Sequence, residues 1–576
     1  MTPRNCPSLV AMLFVTLITA GNSGCGGGSA TTPPLTQPAP PQTFIITTTS
    51  FPSGTVNASY SATLQSTGGK PPLTWSPTTG LPPGLALSSN GTISGTPTAP
   101  GFYCFEVLAT DSSTPPQSPG QSLCIGINQP DSSHNALLKG HYAFFINWFE
   151  PSILKTTAQI ATAGSFVADG AGNVTGGVSD TNGPGVAANQ PFTGTYALGA
   201  DNRGTLSIST PTQTMGTYAF SVGSMSASGV ATKGRMIRAS GVSAAGEFEL
   251  QDPSAFSNSA VSGSYAFELS GRGAFSGQLG ADGVFTADGN GSINTGNADE
   301  NFNGAVTANQ PLTGTYNIAA NSTDGRGTGT LTIAGNFAFY VVSTSKMFMV
   351  SADSASNPRV FTGRALKQSG GPFNSSLLSG ASVFSTGTAG DVTAGLEMFD
   401  GRVTVNVLQD QKNANGTVTL DSTTSDTYSV SSNGRVTVTV AGVPVSVLYL
   451  VSAGTGFILN ADGSTGFFEP QSVGPFTESS IDGDFFFGNV PMPALSPASS
   501  GVATLKAGAI NLTSDLNEGG TLIFGQSSQD SYVVSANGRV TTGSGNEVIY
   551  VISPTKFLMI DVNPTNTTLG ITVAEQ

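Results

Sequence analysis

Few residues in this chain have the type and spacing for chemistry. There are two histidines, His134 and His141. A Ser-His-Asp triad or a histidine metal site would have to use one of them. No cysteine or acid stands at ligand spacing from either, so both read as structural. Ser343-Thr-Ser-Lys346 and Ser553-Pro-Thr-Lys556 fit the S-x-x-K pattern, whose chemistry needs Ser and Lys one helical turn apart. Strand-like runs flank the first and Pro554 interrupts the second, so a repeated turn is expected. A short acidic motif remains. Asp180-Thr-Asn182, Asp299-Glu-Asn301 and Asp515-Leu-Asn517 recur, and Asp410 with Asn413 and Asn415 is a looser fourth. In loops, such side chains form turns by accepting a backbone N–H two residues on. They also supply hard oxygen ligands, which makes weak calcium binding the one cofactor expectation. No G-x-S-x-G, P-loop or HExxH occurs, and the chain reads as non-enzymatic.

These residues sit on a repeated unit. Phe166, Asp169, Gly170, Gly172, Asp180 and Asn182 recur at Phe285, Asp288, Gly289, Gly291, Asp299 and Asn301, all shifted by 119 residues. Such self-similarity marks a tandem array of one supersecondary unit. The copies span about residues 137–258 and 261–370, and His141 of the first is Ser264 in the second. Two diverged relatives follow at 376–475 and 479–576. There Thr427-Tyr-Ser-Val-Ser-Ser-Asn-Gly-Arg matches Ser531-Tyr-Val-Val-Ser-Ala-Asn-Gly-Arg. Asn-Gly between strand patterns is a hairpin signal, because both residues accept positive φ. About seven or eight short strands per copy, without a convincing helix, predict antiparallel meanders. These close into small up-and-down barrels or fold as sandwiches, and the barrel removes exposed edges. Asn147-Trp148-Phe149 has no counterpart in the second copy and is a candidate platform for glycan or partner binding.

Composition excludes some functions. The 576 residues allow roughly three to five domains. Charged residues are 9 % of the chain, against ~25 % in average soluble proteins. The net charge is −14, and the 20 Lys and Arg nowhere cluster, so no nucleic-acid partner is expected.

The N-terminus points to export. Arg4 precedes an apolar run at residues 9–20, too short to span a bilayer, which takes ~20 residues, but suited to a signal core. Residues 1–25 end in Gly-Asn-Ser-Gly-Cys25 and resemble a bacterial lipoprotein signal. The resemblance implies cleavage before Cys25 and lipid attachment to it; the position three before it, usually apolar in that family, is Asn22. Gly26 suits outer-membrane sorting by the enterobacterial rule. The alternative is ordinary cleavage and secretion. Residues 26–42, rich in Gly, Ser and Pro, read as a linker.

Residues 43–128 contain about seven short strand patterns, as expected of a β-sandwich. Gly80-Leu-Pro-Pro-Gly-Leu, Gly91-Thr-Ile-Ser-Gly-Thr-Pro97 and Ala109-Thr-Asp-Ser resemble the Ig-like, dystroglycan-type cadherin-like modules of bacterial surface proteins. The resemblance implies a spacer or adhesive module; Asp111, where calcium-binding relatives can carry a ligand, reads as a turn former here. Cys104 and Cys124 lie on neighbouring strand patterns, and an exported compartment permits a disulfide between them; two buried thiols are the alternative. The repeats resemble β-rich modules of exported proteins from soil bacteria such as the Acidobacteria, which implies localisation alone.

The expectation is an all-β chain: an N-terminal Ig-like sandwich, then tandem antiparallel β modules. Its expected role is a membrane-anchored adhesive or structural array, elongated at the cell surface, with an extracellular protein or glycan as partner. The second reading is β-barrels that bind a small apolar ligand or a glycan.

Overall fold

Several strand runs are apolar on both faces. In residues 336–342, Asn-Phe-Ala-Phe-Tyr-Val-Val, every residue from Phe337 on is buried. Such a run must be covered on both sides. In the computed structural model, Phe337, Phe339 and Val341 fill the inside of a barrel, while Ala338, Tyr340 and Val342 pack against a neighbouring one. The structure describes residues 43–576, except 53, 56–58, 78–79, 98–100, 129–131, 152–156, 184, 211–213, 240–242, 273–276, 354–358, 389, 491–497, 519–520 and 567–568. The signal segment, Cys25 and the linker lie outside the described residues, as does the side chain of Phe149.

The N-terminal module is Ig-like. One sheet holds strands Tyr60–Thr63, Thr92–Gly95 and Leu85–Leu87; the other holds Gly54–Thr55, Gly120–Asn128, Gly101–Thr110 and Thr74–Pro77. Trp75, Ile93, Phe105, Val107 and Ile125 form its core. Cys104 and Cys124 are register partners on adjacent strands and are joined by a disulfide. The Asp111 carboxylate accepts from Lys70 N, Ser113 N, Ser113 Oγ and Gln117 N. These bonds fix the turn and hold its pKa below the usual carboxylate range.

Four eight-stranded up-and-down barrels follow. Their first and last strands are Lys139–Pro151 and Ala244–Leu250, Ser262–Arg272 and Val360–Lys367, Ser379–Gly387 and Thr465–Pro470, and Gly483–Asn489 and Ile571–Glu575. Closure is shown by first-to-last pairings such as Phe144 with Phe248, Phe267 with Ala365, Phe384 with Phe468 and Phe487 with Ala574. In the second barrel the fourth strand is split into Ala305–Pro311 and Gly314–Ile318. The recurring Ala-Asp-Gly turn is held by its aspartate: Asp169 Oδ1 accepts from Ala171 N and Asn173 N, and Asp288 Oδ1 from Asn290 N and Ser292 N. Gly170 and Gly172 have φ of 81° and 106°, which only glycine adopts cheaply.

The expected elongated array is corrected. The barrels close on one another as a ring, because each carries apolar residues on its outer face that need cover. Phe145 of the first meets Phe348 of the second at 4.9 Å between ring centres. Ala266 and Val284 of the second meet Tyr449 and Phe457 of the third. Val392 and Leu396 of the third meet Val548 and Ile560 of the fourth. Ala498 and Leu522 of the fourth then meet Ala219 and Ile237 of the first. Strand Gly101–Thr110 of the Ig-like module lies against Thr521–Val534 of the fourth barrel.

Candidate functional site

The recurring acidic motif lies on strands, not in loops: Asn173–Asn182, Ser292–Phe302, Thr404–Asn413 and Ala509–Glu518. Each aspartate sits at a bulge, where the pairing to the next strand skips it. The skipped carboxylate accepts a backbone N–H from that strand: Asn189 N to Asp180, Asn309 N to Asp299, Asp421 N to Asp410 and Gly525 N to Asp515. All four donor residues have positive φ, from 51° to 60°.

The other side of each carboxylate grips the next barrel. Arg326 of the second barrel donates Nε and Nη2 to Asp180 at 2.6 and 2.7 Å, and Tyr340 donates its hydroxyl at 2.5 Å. Arg435 of the third repeats this on Asp299 at 2.7 and 2.8 Å, with Tyr449 as the hydroxyl donor. Arg539 of the fourth repeats it on Asp410 at 2.8 and 2.9 Å, with Tyr550. These are bidentate, charge-assisted pairs, the strong kind. Burial and the adjoining carboxylate push all three tyrosines up, so their hydroxyls stay protonated as donors. The fourth clasp closes the ring with one bond, from Arg203 Nη1 of the first barrel to Asp515 Oδ1 at 2.6 Å. Arg203 also donates to its own neighbour Asp201, and Ser221 stands where the other barrels have tyrosine, bonded instead to Ser500.

This corrects both readings of the motif. Asp180, Asp299, Asp410 and Asp515 spend their carboxylates on arginine, tyrosine and bulge N–H groups, so they are neither Asx-turn formers nor open calcium ligands. Asn182, Asn301 and Asn517 donate across the seams to Ser351 Oγ, to the carbonyls of Asn460 and Ala461, and to the carbonyl of Arg238. Lys412, fully buried, takes the asparagine place in the third copy and pairs with Asp561 at 3.1 Å. Among the described residues no group of three or more His, Cys, Asp or Glu is placed to hold a metal.

Residues from all four barrels line a cavity of about 200 Å³ at the centre of the ring. Around it Lys233, Arg235, Lys346, Arg364 and Lys556 interleave with Glu247, Glu249, Glu268, Glu469 and Glu575. Lys346 bridges to Glu249 of the first barrel at 2.7 Å, Lys233 to Glu575 of the fourth at 2.8 Å, and Lys556 to Glu469 of the third at 2.5 Å. The lysines of both S-x-x-K matches are thus axial ion-pair partners. Their serines sit in the turns before them, Ser343 Oγ against Ser345 Oγ and Ser553 Oγ against Thr555 Oγ1. Four clasp arginines and five axial cations account for nine of the 20 basic residues. Nearly half of the scattered basic residues of the sequence are therefore interior lock parts.

The remaining candidates are structural. His134 Nδ1 pairs with Asn202 Oδ1 at 2.8 Å, and His141 packs edge-on against Phe256. Asn147 is buried and accepts from Thr362 Oγ1, while Trp148 is half-buried under Arg238. Neither offers the exposed platform that was expected.

The buried carboxyl groups set a pH optimum. Burial outweighs Arg203 and pushes Asp515 up to about 6; burial, then the charge of Asp426, pushes Glu397 in the third barrel up to about 8. A raised carboxyl favours folding below its unfolded value, and that contribution is lost as pH climbs through the folded one. For Glu247, burial is outweighed by Arg235, Lys346 and Arg364, which hold it at about 2; Lys556, Lys233 and Arg235 likewise hold Glu575 low. Their contribution is complete above the ordinary carboxylate range and is lost as pH falls toward 2. The melting temperature is expected to peak between about pH 4 and 6 and fall on both sides. A scan that rises steadily from mildly acidic to alkaline pH contradicts this assignment.

Comparison with known proteins bears on the first module: a family model described as Putative Ig domain matches residues 42–121. No curated protein matches the chain.

Proposed function

We propose that the chain is a non-enzymatic exported lipoprotein, anchored through Cys25, that displays an Ig-like module and a rigid ring of four barrels as a structural or adhesive array. The observation that carries this reading is the use of the reactive side chains. The clasp aspartates, arginines and tyrosines and the axial lysines hold barrels together. A ring locked this way is a rigid head, and the Gly/Ser/Pro linker at 26–42 gives it reach from a membrane surface. The partner is an extracellular protein or a glycan, and the outer membrane or cell surface is the location. The repeats' likeness to exported modules supports the same location.

The test is the intact mass of the protein from the membrane fraction, wild type against Cys25→Ala. The expected result is added mass of a diacylglycerol and an acyl chain, lost in the variant. An unlipidated mature form in the medium overturns the anchor and leaves a secreted array. The second reading, barrels that bind a small ligand, is favoured by one observation, the polar interior of the third barrel.

A further inference from the structure

The first two barrels are plugged by the same aromatic stack. Tyr142 and Phe166 are register partners with ring centres 5.3 Å apart; Tyr265 and Phe285 repeat this at 5.5 Å. The fourth barrel puts Phe485 at the tyrosine place, packed on Phe557 at 4.9 Å, with Ala503 as its register partner. In the third barrel the corresponding register pair is Ser382 and Glu397. A second plug is missing too: Ser446 stands where the first two barrels place Tyr218 and Phe337. The result is a cavity of about 380 Å³ inside the third barrel, with the exposed residues Ala461 and Asp462 at its mouth. That volume falls in the range of small-molecule sites, roughly 300–1,000 Å³.

The lining is polar and placed. Glu397 is 9 % exposed, faces the cavity, and its Oε2 has no hydrogen-bond partner among the described residues. Burying a carboxyl without a partner is costly, and a core position that discards a stacked aromatic for one is not serving packing. Asp426, Gln409, Thr424 and Asn460 line the same space, and among the described residues no Lys or Arg does.

We propose that the lumen of the third barrel binds a small, neutral, polyhydroxylated molecule, a mono- or disaccharide by chemical class. The absence of a cation from the lining excludes an acidic ligand. Carboxyl, amide and hydroxyl groups together both donate to and accept from sugar hydroxyls. Phe384, Val438 and Ile458 in the wall give apolar surface for the C–H face of a sugar ring. Glu397, pushed up to about 8 by burial and Asp426, carries its proton at neutral pH and can donate it to a ligand oxygen. The site deepens the ligand-binding reading and stands independently of the anchor at Cys25.

The experiment is calorimetric titration of the full chain in detergent with glucose, galactose, xylose and cellobiose, and with putrescine as the cationic probe. At least one sugar is expected to bind. Glu397→Phe, which restores the plug of the first two barrels, and Gln409→Ala are each expected to weaken it by about tenfold or more. Circular dichroism reports folding of both, and Gln409→Ala keeps the test valid if Glu397→Phe does not fold. Three outcomes overturn the proposal: no sugar binds, a sugar binds both variants as tightly as wild type, or putrescine binds in place of the sugars. None of these bears on the mass of the lipid anchor, so the two readings fail separately.

Discussion

Asp299→Ala is expected to cost about 3–5 kcal/mol, because it leaves a seam arginine without its counter-charge, and Asp410→Ala somewhat less, because Arg539 keeps the exposed Asp421 at 3.3 Å. Asp299 and Asp410 are fully buried, and each carries a bidentate arginine, a tyrosine hydroxyl and a backbone N–H. Removing the Asp299 carboxylate unpairs all of these donors at once. Glu300, one residue along the same strand, makes a rim pair with the 39 %-exposed Arg359. Glu300→Ala is therefore expected to cost only about 0–1 kcal/mol. Asp515→Ala falls between, at about 1–2 kcal/mol: its clasp lacks the tyrosine, Arg203 keeps Asp201, and burial already disfavours the ionised Asp515. Urea unfolding followed by circular dichroism gives the order. A loss at Asp515 larger than at Asp299, or equal losses at Asp299 and Glu300, contradicts the clasp as the main lock of the seams.

The parts of these clasps are legible in the chain, but their partnership is not. Asp180 recurs at Asp299, Arg435 at Arg539 in their Asn-Gly-Arg turns, and Tyr449 at Tyr550 in their apolar runs. Read within one copy, an Asp-x-Asn triplet is a turn, since a local hydrogen bond is the cheapest use of a short acidic side chain. What overrides this is a bulge on the strand, which turns the carboxylate outward, and an arginine 146, 136 or 129 residues further on. No periodicity within a copy reports a contact between copies. Doubly apolar runs such as 336–342 are the local sign of a seam, because a strand wall with water outside has no use for Ala338, Tyr340 and Val342 in the outward positions.

The meander order follows from short hairpins and was readable; closure was not, because a barrel and a sandwich share that order and only the pairing of first with last strand separates them. Closure of the fourth barrel onto the first was not readable either, because the closing clasp is the one that departs from the pattern, with Ser221 in the tyrosine place. Glu397 was hidden for a different reason. Its significance is positional: only when strand registers are matched does it fall on Phe166 and Phe285. The third copy has diverged too far around it for the residues alone to set that register.

Glu247→Ala is expected to cost about 3–5 kcal/mol, with a shallower acid limb of the stability profile below pH 4, the part left being that of Glu575. Glu247 is the partner of Arg235 at 2.5 Å and lies 3.8 Å from both Lys346 and Arg364 of the second barrel. Without it Arg235, Lys346 and Arg364 lose the carboxylate they share across the seam between the first two barrels and keep only Glu575, Glu249 and Glu268, in a site too buried for water to screen the cations from one another. The ring itself shows how that cost is avoided. At the places of Arg235 and Glu247 the third barrel has Phe457 and Phe467, with ring centres 5.4 Å apart, and the fourth has Leu558 and Val573. Replacing a buried ion pair by apolar residues of similar volume is often neutral, while breaking it is not. The double variant Arg235→Leu with Glu247→Val is therefore expected to recover most of the stability that Glu247→Ala loses, within about 1 kcal/mol of wild type. Lys346 keeps Glu249, and Arg364 keeps Glu268, so neither is stranded by the double change. Denaturation of the two variants side by side decides between lock and scaffold. A double variant as unstable as the single one means that the axial charges act as one network, held by Glu247. Recovery means that each barrel needs only a filled face toward the axis, charged or apolar.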